Sequence, residues 1–260
     1  MPATDLTSPE RITALSDDFL RDGFVLLEGC LGDDLVDRLD AEMIGLQDAV
    51  AAGTIDRAYY GGDYLTSAVP GEPAPFVHYV NDVMALSPAA AEVVASPVLG
   101  QVLARSFDTD AYWQFDTEHA DRLGFVYQDC RSGRESGYSR IGWHTDHQAY
   151  PNSDFWPGIA ITVHLDATSP ANGFLRVVPG SHRWSTDDLP LGFEKIRGEI
   201  PVYAERGDVI LHHSDLWHSA ARATEDAPDG IRRHVRGSFY AGRKPAPGEE
   251  IEAFNKNARR

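Results

Sequence analysis

The sequence is short of three things. It has two cysteines in 260 residues, Cys30 and Cys130, which excludes a disulfide framework and suits a reducing compartment. It has 23 Lys and Arg against 40 Asp and Glu, so its formal net charge is −17, a field that repels nucleic acid, anionic membrane surfaces and polyphosphate tails. It has no apolar run approaching a membrane span, and its opening MPATDLTSPERITAL carries neither the basic nor the apolar segment of a secretory leader. The expectation is a soluble, cytoplasmic protein, a monomer or weak dimer, whose partner is a small molecule and which binds no nucleic acid and no membrane.

What is present falls into two parts. Ser8-Pro9-Glu10 reads as a helix start and GFVLLEG as a short strand, and Leu35, Leu39, Met43 and Leu46 recur at the spacing of an amphipathic helix. Residues 59–76 are rich in Gly, Pro, Tyr and Ser and read as a long loop, after which SPAAAEVVASPVLGQVLARSF gives one or two short helices with Ser-Pro starts. Then the character changes. RLGFVYQDC, GIAITVHLDA, GFLRVVPGSH, GDVILHHSD and RRHVRGSFYAG are β-branched and aromatic runs separated by Gly, Pro, Asn and Asp, the pattern of an antiparallel sandwich or barrel. The expected organisation is a single domain over 1–260, mostly helical to 106, β-rich over 107–243, with a polar tail over 244–260.

The chemistry-bearing signal is His-x-Asp, which a strand presents on one face. It occurs three times, at His119-Ala120-Asp121, His144-Thr145-Asp146 and His213-Ser214-Asp215, so spacing alone decides nothing. His213 and Asp215 leave little chain for a partner strand, and His119 and Asp121 sit in the charged stretch DTEHADR, which reads as a solvated turn. His144 and Asp146 have Trp143 and Tyr150 around them, and three strand-like runs follow before His218 in GDVILHHSDLWHSA. Two histidines and one carboxylate on one face of an octahedron are the set that holds iron(II) for oxygen chemistry.

A carboxylate-bearing cosubstrate needs a cation at some distance from the metal. In GIRRHVRGSFY the alternation puts Arg232, His234, Arg236 and Ser238 on one face and Arg233 on the other. Arginine suits the task because its fork binds a carboxylate bidentately and keeps its charge. Of His212 and His213, one reads as a packed neutral histidine, and His182 in VPGSHR reads as a turn residue. Neither Ser181 nor Ser219 has a base and acid at a telling spacing, so a hydrolytic triad is not supported.

Together these blocks resemble the phytanoyl-CoA dioxygenase family of iron(II)- and 2-oxoglutarate-dependent oxygenases, which includes ectoine hydroxylase-like and natural-product enzymes. The resemblance runs from FLRDGFVLLEGCLGDDLVDRL through WHTDHQAY, NGFLRVVPGSH and RGDVILHHSDLWHSA to GIRRHVRGSFYAG. It implies a mainly β fold with flanking helices around a double-stranded β-helix core of the jelly-roll or cupin kind. It implies Fe(II), 2-oxoglutarate and O2, with His144, Asp146 and His218 as metal ligands and catalytic residues and Arg232 on the distal carboxylate of 2-oxoglutarate. Extra residues in ATEDAPDG leave Arg236, with Ser238 after it, as a second choice for that carboxylate. Gln128 in VYQDC matches a position that hydrogen-bonds the cosubstrate, and Thr162 has a similar standing.

The reaction so implied is hydroxylation of an unactivated C–H bond of a small amino-acid-like or secondary-metabolite substrate, with release of succinate and CO2. Halogenases of this kind replace the carboxylate ligand by a small residue, and here Asp146 is present; desaturation, epimerisation and cyclisation stay open. Substrate contacts are sought at His147, at Arg134 with Arg131 and Arg140 in the loop before Trp143, and among Tyr59, Tyr60, Phe76, Tyr79 and Trp113, aromatics that core packing also explains. Two readings of other classes stand beside this one, a non-catalytic jelly-roll binder and a zinc hydrolase or lyase using the same ligands. The intact set His144, Asp146, His218 and Arg232 argues against the first, since a scaffold would be free to lose one of them, and Arg232 argues against the second, since simple zinc hydrolysis needs no clamp for a distal carboxylate.

Overall fold

Ser8 opens the first helix, α1 (Pro9–Asp22), by accepting a hydrogen bond from the Arg11 amide at 3.3 Å, and Pro9 supplies a φ already suited to the first turn. The helix stops at Gly23, whose φ of 80° is left-handed and whose amide donates to the Phe19 carbonyl. Space also demands glycine here, because a Cβ would lie 2.3 Å from Nδ1 of His182. This computed structural model describes residues 6–55, 76–107, 125–131, 141–146, 158–190, 192–221 and 230–239, with the backbone alone of 66–67, 111–113 and 240–241. Most of the 59–76 loop, all of 132–140 and the polar tail lie outside the described residues.

After α1 come β1 (Phe24–Leu27) and α2 (Asp33–Ala51), whose Val36, Leu39 and Met43 are buried as their spacing requires. Short strands β2 (Thr66–Ser67), β3 (Phe76–Val77) and β4 (Tyr79–Val80) precede two short helices, α3 (Pro88–Val94) and α4 (Pro97–Ser106), each entered through Ser-Pro. The β-rich part then runs β5 (Ala111–Trp113), β6 (Val126–Arg131), β7 (Ile141–His144), β8 (Gly158–His164), β9 (Leu175–Val177), β10 (Ile200–Val202), β11 (Val209–His213), β12 (His218–Ala220) and β13 (Ile231–Ala241). Four strands, rather than the expected three runs, separate β7 from β12.

The strands form a seven-stranded sheet, ordered β1-β11-β8-β13-β6-β4 with β5 also on β13, and a four-stranded sheet, ordered β10-β9-β12-β7, besides the small β2-β3 pair. From β6 onward the chain passes back and forth between the sheets: β6, β8, β11 and β13 lie in the larger, β7, β9, β10 and β12 in the smaller. The two faces of the larger sheet differ. Ile161, Val163, Leu211, Val235 and Phe239 share one apolar core with Ile12, Leu15, Phe19, Leu39 and Met43 of the helices. On that side Arg233 bonds Asp166 at 2.8 and 2.9 Å and Asp40 of α2 at 2.7 Å, tying helix to sheet.

The other face looks toward the smaller sheet. Phe24, Leu26 and Ile210 meet Val177, Val202 and Leu216 there. Along β6, β8, β11 and β13 the same face carries Gln128, Thr162, His164, His212, Arg232 and His234, a polar lining between two sheets. No helix of the described residues is long and apolar enough to cross a membrane.

Candidate metal centre

His144 ends β7 and His218 begins β12, and the antiparallel pairing sets them directly opposite each other, rings 4.1 Å apart. Each ring is oriented by its own chain: Nδ1 of His144 lies 2.8 Å from the Gly142 carbonyl and Nδ1 of His218 lies 2.9 Å from the Leu216 carbonyl. A carbonyl only accepts, so each Nδ1 carries the proton and each Nε2 is left as a lone pair. Both Nε2 atoms face one oxygen of Asp146, Oδ1, at 3.8 Å from His144 and 3.6 Å from His218. The three donor atoms lie within 4.8 Å of one another. Metal–ligand bonds of about 2.1 Å at right angles set neighbouring donors about 3 Å apart, so the two carboxylate–imidazole separations are within an ångström of those of a ligand triangle.

Electrostatics prepares the same atoms. Burial alone would raise the Asp146 carboxyl, but His218, His212 and His144 around it outweigh that and hold it well below the usual carboxylate range. Its side chain keeps 37% of its surface open, so solvent moderates the effect without reversing it. Burial, reinforced by His144, pushes the His218 imidazole well below its ordinary value, against the pull of Asp146. An ionised Asp146 beside a neutral His218 is the protonation state a metal needs.

The structure separates the three His-x-Asp pairs. His119 and Asp121 lie outside the described residues. His213 Nδ1 accepts from the Asp215 amide at 3.0 Å, and its ring lies 5.3 Å from that of His182, the end of β11 packed on a single helical turn, away from the metal-facing groups. Trp143 corrects an expectation. It faces away from His144, packs with Val178 and Trp217, donates from Nε1 to the Glu194 carbonyl at 2.8 Å and lies under the Arg176 guanidinium. It supports the strand and does not surround the site, while Tyr150 lies outside the described residues.

A residue to which the sequence assigned no role stands at the centre. His212, from β11 of the opposite sheet, places Nε2 3.1 Å from Oδ2 of Asp146, with its ring 4.5 Å from that of His218. The sequence offers two adjacent histidines and no means of choosing; the register His212↔Ala160 and Phe24↔His212 sets His212 on the inner face and His213 on the other.

Further along the lining, Arg232 is 5% exposed, and its guanidinium lies against Gly173, where a Cβ would come within 3.2 Å of Nη1. His234 Nε2 and Arg236 Nε both donate to Oε1 of Gln128, at 3.1 and 3.3 Å, and Gln128 Nε2 donates to Cys130 Sγ at 3.1 Å. Thr162 stands opposite Arg236, and Ser238 opposite Ala160. His164, facing His234 at 6.1 Å between rings, is buried with neither ring nitrogen hydrogen-bonded. Burial first and the Arg232 charge second push its pKa down to about 3. Arg131 is not a loop cation awaiting substrate: it donates to Asp129 at 2.9 and 3.0 Å and lies over the Phe76 ring. Arg134, Arg140, His147, Tyr59, Tyr60 and the side chain of Trp113 lie outside the described residues.

Comparison with known proteins places the chain among its relatives. The chain is 32% identical over 97 residues, 35% of its length, to the iron/alpha-ketoglutarate-dependent dioxygenase ausU of Aspergillus calidoustus; that match covers 31% of the relative. The chain spans less than two thirds of the length of the curated relatives it matches first. Among solved structures, the alpha-ketoglutarate-dependent carbocyclase SnoK from nogalamycin biosynthesis superposes with a TM-score of 0.64 at 16% identity, covering 94% of this chain and 90% of that one. EctD from Sphingopyxis alaskensis with 2-oxoglutarate and 5-hydroxyectoine superposes at 0.63 and 21% identity, covering 93% and 78%. The phytanoyl-CoA dioxygenase (PhyH) family model matches residues 19–233, and the chain belongs to that family.

Proposed function

We propose that this protein is an Fe(II)- and 2-oxoglutarate-dependent dioxygenase that hydroxylates an unactivated C–H bond of a small amino-acid-like or secondary-metabolite substrate. The observation that carries the reading is the convergence of His144, Asp146 and His218 at the mouth of a lining that contains a buried arginine. The passage of β6 to β13 back and forth between two facing sheets supports a double-stranded β-helix core. Names among the relatives point the same way: one is an iron/alpha-ketoglutarate-dependent dioxygenase and one solved neighbour holds 2-oxoglutarate.

The residues fit the groups this requires. His144, Asp146 and His218 would hold the iron, and Arg232 the distal carboxylate of 2-oxoglutarate, with Arg236 and Ser238 the second choice. His164 speaks for the anion's place, because a buried imidazole with two unsatisfied nitrogens calls for a ligand or water, and the Arg232 charge acts on it directly. Gly173 speaks for it too, since its missing Cβ leaves the Arg232 fork its room. Gln128 is a supporting residue in this reading, since its amide oxygen already takes two donors.

Iron(II), 2-oxoglutarate and O2, when bound, supply the oxidising power that hydroxylates the substrate and releases succinate and CO2. The chain's own part is orientation and exclusion. His144 and His218 need not rotate to bind, because their Nδ1–H bonds fix the ring orientation that turns Nε2 toward Asp146. Arg232 acts from a buried position where water screens its charge little. The net charge of −17 disfavours a coenzyme A ester and leaves a small substrate as the better fit.

Anaerobic titration of the apoprotein with Fe(II) and 2-oxoglutarate tests the reading through the visible charge-transfer band of the chelate. The wild type should develop the band, His144→Ala should not, and Arg232→Ala should need far more 2-oxoglutarate. No band in folded wild type, with zinc held instead, would favour hydrolysis or lyase chemistry.

A further inference from the structure

We propose that His212 is a positioning residue of the metal centre: its Nε2–H holds Oδ2 of Asp146, so that only Oδ1 is offered to the metal. This rests on the metal-centre reading above and adds a third histidine to it, one that does not ligate.

The argument starts from the carboxylate. Asp146 has two oxygens, and the structure gives them different partners. Oδ1 faces both ligand imidazoles, 3.8 Å from His144 Nε2 and 3.6 Å from His218 Nε2. Oδ2 lies 3.1 Å from His212 Nε2. An ionised carboxylate only accepts, so His212 must carry its proton on Nε2 to make this bond. Its Nδ1 is then a bare lone pair, in keeping with that atom being buried with no hydrogen-bond partner; the opposite tautomer would bury an unsatisfied N–H and break the bond to Asp146.

The consequence concerns coordination number. A carboxylate free to turn can give both oxygens to one metal, which would occupy one of the three positions that a two-histidine, one-carboxylate set leaves open. With Oδ2 engaged, Asp146 gives one oxygen and the positions for cosubstrate and oxygen remain. The bond also crosses between the sheets. His144 and His218 come from β7 and β12 of the smaller sheet, whereas His212 comes from β11 of the larger, and its side chain is 7% exposed and held between Phe24 of β1 and Ala160 of β8 in register. Asp146 lies two residues past the end of β7, and the bond to His212 ties its carboxylate to the larger sheet.

The test is Co(II) binding to the apoprotein, followed by the visible d–d absorption of the bound ion, for the full chain carrying His212→Leu, His212→Gln and His144→Ala, with thermal melts alongside. Outer partners of metal ligands typically matter by about 10–100-fold in affinity. His212→Leu should weaken Co(II) binding by that order, and His212→Gln, which places an amide N–H at a similar reach, should recover most of it. His212→Leu binding as tightly as wild type while His144→Ala does not bind would overturn the inference and leave the metal centre standing. So would His212→Gln doing no better than His212→Leu in two equally folded proteins, since the effect would then be packing. If His212→Leu fails to fold, the comparison passes to His212→Gln against wild type, and loss of binding in folded His212→Gln would contradict the proposed N–H donor. Folded wild type that takes up no Co(II) would overturn both readings together.

Discussion

Gly173 shows how much one atom decides in this site. Its φ is 91°, and a Cβ would sit 2.5 Å from the Ala221 carbonyl and 3.2 Å from Arg232 Nη1, so an alanine must push the guanidinium away or move the strand. Gly173→Ala should therefore raise the half-saturating 2-oxoglutarate concentration by about tenfold or more, equivalent to about 1.4 kcal/mol, while leaving Co(II) affinity at the three ligands within a few-fold. Equal losses of both would place the fault in the fold and not in the Arg232 pocket. At this scale the sequence was legible where a motif and a geometry coincide: His144 and Asp146 stand at strand spacing, and His218 ends a recognisable run. His212 and His164 were not legible, because a histidine in a strand says nothing of which face it takes until the neighbouring register is known. Gly173 was quoted within a motif, but its role depends on Arg232, which is 59 positions away in the chain and adjacent only after folding.

Strand β13 was the best-read element and β10 the worst. The alternation of RRHVRGSFY separates Arg233, paired with Asp166 and Asp40 outside, from Arg232, His234 and Arg236 within, as the period of two requires. Ile200–Val202 has three residues with a proline in the middle, lies at the edge of its sheet and offers no alternation to read. Trp143 was misread because an aromatic next to a ligand suggests a pocket wall, whereas neighbours in a strand face opposite ways. The inner faces of β8 and β13 carry a consequence for pH. His164 is held neutral to about pH 3, and His234 is likewise pushed well below its ordinary value, first by burial and then by Arg232. Unfolding frees both to protonate near the usual 6.5, so between about pH 6.5 and 3 the unfolded chain binds more protons and stability falls as pH falls. The slope per histidine is up to about 1.4 kcal/mol per pH unit. His164→Gln should flatten the acid side of the apoprotein's stability profile, measured by urea unfolding across that range; an unchanged slope would mean that His164 protonates freely when folded.

The molecule as a whole divides its labour between two sheets. The larger sheet takes its stability from the helices on one side, where a buried Leu, Ile or Phe is worth roughly 1.5–3 kcal/mol, and spends the opposite face on polar groups that would be costly in an ordinary core. The smaller sheet contributes two of the three metal-facing side chains, and the bond from His212 to Asp146 joins the halves. The two-part organisation, helices then strands, was legible from composition and periodicity; the way β6 to β13 alternates between sheets was not, because crossing from one sheet to the other leaves no local mark. The strong negative charge coexists with an inner lining that carries Arg232, Arg236 and histidines, local fixed donors whose sign opposes the net field.

The most direct test of the central claim is CO2 release from 2-oxoglutarate labelled at the carboxylate next to its keto group, in air, by the full chain reconstituted with Fe(II) or with Zn(II). Slow release without any added substrate is expected with iron, none with zinc, and none with iron in Asp146→Ala. Release that is equal with either metal, or absent from folded iron-loaded wild type, would contradict the account.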